Sequence, residues 1–232
     1  MVRRKQTTLS EFPTGGSPLP REIVIRQRIL QAAEERFRIE GYQRVSMDEL
    51  AADLGMSKKT IYKHFRGKDA LMTQIARQAM QQVEQRVSEI VASDASFVDK
   101  LTTLLPLIGR QYVRLSRILK KDLARHAPNI WKEIEAFRRV QATTKIYPML
   151  KAAKAEGVLR PEVSPELFFL LFLTAIEGIL NPFTLADEPY STDEAFAGIF
   201  RILFQGALTD EASARFAAKL TSESFQASVR VE

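Results

Sequence analysis

The stretch VSMDELAADLGMSKKTIYKHF, residues 45–65, decides the fold. It holds two helix starts in quick succession. Ser46 is placed to cap a first helix, and Glu49, three residues on, is placed to close a capping box. Val45 and Leu50 stand at the ends of a hydrophobic staple. The helix is short and ends at Gly55, a residue suited to the left-handed conformation of a sharp turn. Ser57 then caps a second short helix, with Met56 and Ile61 again at the staple positions. Small Ala51 allows the two helices to cross closely. Two short capped helices joined at a glycine form a helix-turn-helix pattern.

The second helix divides its side chains by chemistry. At about 100° per residue, with Lys58 set at zero, Ile61 falls near 300° and Phe65 near 340°. These two define a buried side. Lys59, Lys63 and Thr60 fall near 100°, 140° and 200°, on the opposite face, with Tyr62 and His64 on its flanks. An outward face of ammonium groups and one hydroxyl suits a major groove, where its centre meets base edges and its flanks meet phosphates. Lys58 and Lys59 occupy the first turn, where positive charge opposes the helix dipole. A helix N-terminus reinforced by lysines is an anion site, and phosphate is the anion expected here. Arg44 and Lys68, just outside the pair, are further phosphate donors.

Working outward, residues 1–20 are polar and carry Pro13, Gly15, Gly16, Pro18 and Pro20. They read as a disordered basic arm, either a solubilising tail or a strand that touches DNA. A first helix is expected over about 21–39, with Ile25, Ile29, Ala33 and Phe37 as its apolar stripe and Gly41 as its stop. Helical periodicity continues near 68–92, 97–114, 116–125, 129–156, 165–181, 192–208 and 210–224, with no alternating strand pattern. The expected organisation is the arm at 1–20, a DNA-binding domain at 21–67 and a helical body at 68–232.

Charge follows the same division. Of a net +6 over 232 residues, the first 72 contribute 14 Lys and Arg against 9 Asp and Glu. A basic module joined to a near-neutral body suits a polyanionic partner. With no cysteine, disulfides, zinc-thiolate sites and thiol nucleophiles are excluded. No apolar signal segment opens the chain, so a cytoplasmic location is expected. The most apolar run, LFFLLFLTAI at 167–176, is half the length a membrane span needs. No phosphate-cradling glycine loop and no nucleophile elbow occur, and there are two histidines, so an enzyme is not expected. His126 follows Asp122 by four residues, but with no third ligand no metal site is expected, and no cofactor.

Residues 29–71, ILQAAEERFRIEGYQRVSMDELAADLGMSKKTIYKHFRGKDAL, resemble the N-terminal domain of the tetracycline-repressor (TetR) family of transcriptional regulators. The resemblance implies an all-α homodimer with two helix-turn-helix heads and larger C-terminal domains that bind small molecules. It implies that Ser46 meets phosphate, that Lys58, Lys59 and Thr60 sit in the groove, and that Tyr62, His64 and Lys68 hold the DNA backbone. Lys59 departs from the smaller residue, commonly glycine, that the family often has there. The implied function is a ligand-responsive regulator, most often a repressor in this family, that binds a palindromic operator and is released by a mostly apolar effector. An activator of the same fold, or a small-molecule-binding protein whose basic head docks an acidic protein, are the alternatives.

For the body, the family pattern implies that the helices near 165–181 and 192–208 pair with their copies in a four-helix interface. Phe169, Leu173, Phe196, Ile199, Phe200, Leu203 and Phe204 are the residues expected there; a central core helix is the alternative. A cavity is expected among helices from about 97 to 180. Leu104, Ile108, Tyr112, Trp131, Phe137, Phe168, Phe172 and Ile176 either line it or fill a core. Glu177, an acid beside a long apolar run, either meets the ligand, pairs with an arginine such as Arg114, or faces the partner.

Overall fold

The computed structural model describes residues 21–220, except 180, 182 and 185–188. The basic arm and the end of the last expected helix, beyond 220, lie outside the described residues. Among these, eleven α-helices and one π-helical turn account for the regular structure, with a lone β-bridge between Leu159 and Leu208. Among the described residues no helix is long and apolar enough to cross a membrane.

Helix α1 (Arg21–Glu40) buries Ile29, Ala33 and Phe37 of its expected stripe, and Leu30 beside them, with Ile25 half-buried. Helices α2 (Met47–Asp53) and α3 (Lys58–His64) follow. The Ser46–Glu49 capping box forms in full, and the Ser57 hydroxyl accepts the Thr60 N–H at 3.1 Å. Gly55 turns between them with φ +62°. Helix α4 (Lys68–Ala92) is the long spine, followed by α5 (Phe97–Arg114), α6 (Arg117–His126), α7 (Pro128–Gln141) and α8 (Tyr147–Ala155). The expected single helix at 129–156 is α7 and α8 joined through the π turn Ala142–Ile146. Pro148 explains the joint. It has no N–H to donate, and its ring crowds the carbonyl four residues back, a conflict relieved by a widened turn just ahead of it. Helices α9 (Pro165–Ile179), α10 (Thr192–Ala207) and α11 (Asp210–Leu220) complete the body.

Two apolar clusters hold the chain together. One joins α1–α3, the N-terminal half of α4, and the Leu119, Leu123, Ile130, Trp131 and Ile134 side chains of α6 and α7. The other joins the rest of α4 with α5 and α8–α11. Helix α4 therefore serves both. A ladder of phenylalanines, Phe168, Phe172, Phe200 and Phe204, fills the second cluster, with ring centroids 4.9–6.5 Å apart in edge and stacked contacts.

Four of the seven residues expected to face a partner lie in the chain's own core, while Phe169, Leu173 and Leu203 are half-buried. Phe196, Ile199, Phe200 and Phe204 are buried within one chain. Phe169 packs on Tyr147, Leu203 packs against the core, and Leu173 lines a cavity. The side chains that α9 and α10 leave outside are others: Leu167, Leu170, Leu171 and Ile179 on α9, and Ile202, 75% exposed, on α10. The reason is that α9 is apolar nearly all round, and the bulkier aromatic side takes the chain's own core. Leu104 and Phe168 are likewise core residues rather than cavity wall.

The turn after α1 fixes how the body meets the head. Gly41 has φ +87°, and a Cβ there would lie 2.5 Å from Asp122 Oδ2 and 2.6 Å from Ile118 Cγ2, both on α6. Only glycine lets α6 approach so closely. The same Asp122 carboxylate accepts the Gln43 backbone N–H at 3.0 Å, so it serves as a helix–turn strut. Replacing Gly41 with alanine adds left-handed strain of about 1–2 kcal/mol and displaces this bond, worth about 1 kcal/mol. Gly41→Ala is expected to lower unfolding stability by about 2–3 kcal/mol in a denaturant titration; a wild-type midpoint would contradict the strut.

Candidate nucleic-acid interface and cavity

A helix of seven residues must be held from outside, and α3 is held along its length. Ile61 and Phe65 are buried in the head cluster. Arg26 of α1 lies over the Phe65 ring, 4.2 Å from its centroid, and donates to the His64 main-chain oxygen at 3.0 Å. Ser57 caps the other end. Arg26 was not singled out by periodicity, because it stands outside the apolar stripe and its partners lie about forty residues on.

What α3 turns outward is Lys58, Lys59, Tyr62 and Lys63, all exposed, with Thr60 half-buried beside Ser57. Arg44 and Ser46, exposed in the turn before α2, lie on the same head. The lysines do not stand alone. Lys58 pairs with Asp48 and Lys63 with Glu22, each at 2.6 Å. The Asp48 carboxylate holds the Lys58 ammonium above its ordinary range, and Lys63 holds the Glu22 carboxyl below its own. The positive charge that opposes the α3 dipole is thus compensated from α2. Among the described residues Lys59 has no such partner, which leaves it the most available donor on the face.

Three expected phosphate contacts are partly committed within the protein. Lys68 donates to the main-chain oxygens of Tyr42 and Gln43 at 3.2 and 3.1 Å and sits over the Tyr42 ring. The Tyr42 hydroxyl in turn donates to Asp69. Burial first, and then Asp69, push the Tyr42 phenol well above its ordinary range. Lys68 therefore braces the α1–α2 turn and keeps one ammonium proton for another partner. His64 is half-buried, its carbonyl taken by Arg26. Ser46 uses its hydroxyl in both directions on Glu49.

Beneath the head lies a cavity of about 550 Å³. Of the expected lining, Ile108, Trp131, Phe137, Phe172, Ile176 and Glu177 line it; Leu173 and Phe196, expected at a partner surface, do so as well. Tyr112 is on α5, its side chain outside what is described. The cavity also has walls that were not expected: Glu34, Phe37 and Arg38 of α1, Met72 to Val87 of α4, and Leu119 of α6. Glu177 pairs with an arginine, Arg139 of α7, at 2.5 Å; the side chain of Arg114 lies outside what is described. Gln141 also lines the space and was not foreseen. The signal was present: Ile130, Ile134, Phe137 and Gln141 form one helical stripe in which Gln141 alone is polar.

The comparisons with known proteins agree with this geometry. Residues 29–75 match the family described as bacterial regulatory proteins, tetR family. The chain is 24% identical over 186 residues to an uncharacterized HTH-type transcriptional regulator, YvaF, of Bacillus subtilis, covering 80% of this chain and 96% of that one. Its fold is similar to a TetR/AcrR-family transcriptional regulator from Thermobifida fusca, with TM-score 0.61 and 23% identity over 79% of this chain and 98% of that one. It is also similar to a transcriptional regulator from Saccharomonospora viridis in complex with choline, with TM-score 0.64 and 18% identity over 81% and 99% of the two chains.

Proposed function

We propose that this chain, a member of the tetR family of bacterial regulatory proteins, acts as a dimeric, ligand-released repressor that binds a palindromic operator through α3. The observation that carries the reading is the division of α3. Its apolar side, Ile61 and Phe65, is spent in the head core, and what remains outside is donors. Lys59 and Thr60 meet base edges, and Lys58, Lys63, Tyr62, His64, Arg44, Ser46 and the remaining proton of Lys68 meet the phosphate walls.

Dimerisation supplies the second half-site. Leu167, Leu170, Leu171, Ile179 and Ile202 form an exposed apolar face on α9 and α10 that supports a two-fold contact. A two-fold pair presents recognition helices to successive major grooves about 34–36 Å apart. The cavity supplies the control. Its wall includes α1, so a molecule bound there touches the helix that carries Arg26 and the buried stripe of the head. Swelling or tightening the space moves α1 and α4 against α6, and the Asp122 strut passes that movement to the turn before α2. Adjacent-groove binding tolerates little change in spacing. A protein of similar fold is solved in complex with a small molecule, choline, which supports a ligand-taking body.

Selection from a random duplex pool, followed by a gel shift at 150 mM salt, tests the reading. A two-fold symmetric sequence is expected to be enriched. Lys59→Ala is expected to change the selected bases, whereas Lys63→Ala weakens binding to every duplex. A pool with no enrichment would overturn the proposal. For the dimer, Ile202→Arg places a charge at a position that one chain leaves open, so folding is unaffected and the protein is expected to sediment as a monomer. A dimer of undiminished stability would move the interface elsewhere.

A further inference from the structure

A residue of the cavity wall, Gln141, carries an unsatisfied polar atom that itself has almost no exposed surface. Among the described residues, Gln141 Oε1 is the buried side-chain nitrogen or oxygen that has no hydrogen-bond partner. Gln141 is 9% exposed and lines the cavity, at the last turn of α7, where the helix opens into the π turn Ala142–Ile146. A buried carbonyl left without a donor is costly, and native structures rarely keep one without a use. Helix-widening turns of this kind recur at functional sites.

The charges around the cavity point to the class of occupant. Its charged wall residues are three arginines, Arg38, Arg138 and Arg139, and three glutamates, Glu34, Glu135 and Glu177. None of them is buried. Arg139 pairs with Glu177, Arg38 pairs with Glu35, and Arg138 faces the Trp131 ring. The wall thus offers an ion no net countercharge, and its buried part is apolar apart from Gln141. A charged group drawn into such a space loses its hydration without compensation.

We infer that the cavity takes a neutral, largely apolar molecule carrying a hydroxyl or amide N–H, toward which the Gln141 side chain turns its carbonyl to accept the hydrogen bond. This rests on the reading of the cavity as the effector site. The amide fixes the molecule's orientation, with its donor at the α7 end and its apolar part among Ile108, Phe172 and Ile176. Few precisely placed polar groups in an apolar lining are how such sites set specificity.

The chain has one tryptophan, Trp131, in the cavity wall, so its emission reports occupancy directly. Three probes of similar size separate the contributions: 1-decanol, its donor-free isomer methyl nonyl ether, and the anion decanoate. The full-length protein is expected to bind decanol about tenfold or more tightly than the ether, the factor that leaving the carbonyl unpaired implies. Decanoate binds more weakly than decanol. In Gln141→Met, close in volume, decanol falls to the level of the ether, whose own affinity is kept. Equal binding of decanol and ether by the wild type would overturn the inference and leave the effector cavity standing. So would a decanol preference that survives in Gln141→Met, or decanoate as the tightest of the three. If none of the probes altered Trp131 emission, the effector-cavity reading would fall, and this inference with it.

Discussion

A helix of seven residues does not hold its shape in water, so everything α3 presents depends on what fixes it. The answer is burial. Ile61 and Phe65 carry the helix into a core shared by α1, α2 and the start of α4, and Arg26 of α1 clamps its C-terminal end. Burying side chains of this size is worth about 2 kcal/mol each, enough to offset the unfavourable nucleation of so short a helix. The donors on its outer face are then preorganised. They cost the fold little, because Asp48 and Glu22 compensate Lys58 and Lys63 in the free protein. In the proposed binding mode a phosphate backbone would replace those carboxylates, which tempers the gain from each lysine except Lys59.

The same α1 that holds α3 is also a cavity wall and a partner of α6. Head and body therefore share packing rather than merely adjoin. Gly41 lets α6 come against the turn, Asp122 ties it to Gln43, and Lys68 ties α4 to the same turn from the other side. Three elements converge on residues 41–43, so displacement of any one of them is felt at the start of α2. A packed junction of this kind moves as a unit, because close-packed interiors do not deform continuously.

Much of this is legible in the sequence, and what is legible is local. Caps are written within four residues, which is why Ser46 and Ser57 mark helix starts that the structure reproduces. Stripes are written within one helix, which is why Ile29, Ala33 and Phe37 are inside. What depends on two distant elements is harder to read. The paired carboxylates of Lys58 and Lys63 lie ten and forty-one residues away. In α9, apolar on every side, nothing local says that Phe168 and Phe172 face the chain's own core while Leu170 and Leu171 face out. The cavity includes α1 because the fold brings residues 34 and 177 to one space, a fact of topology rather than of periodicity. Gln141 is the exception: it is a polar residue on an apolar stripe, a local inconsistency of the kind that marks function.

The central claim is that the outer face of α3 grips a phosphate backbone. The most direct measurement is the salt dependence of affinity for a selected duplex. Each neutralised phosphate contributes about −0.9 to the slope of log affinity against log salt, and two heads bring several donors each, so a slope of about −4 or steeper is expected. The slope should become shallower when Lys58, Lys59 and Lys63 are replaced together by alanine. A slope near zero, or one that the triple replacement leaves unchanged, would contradict the account.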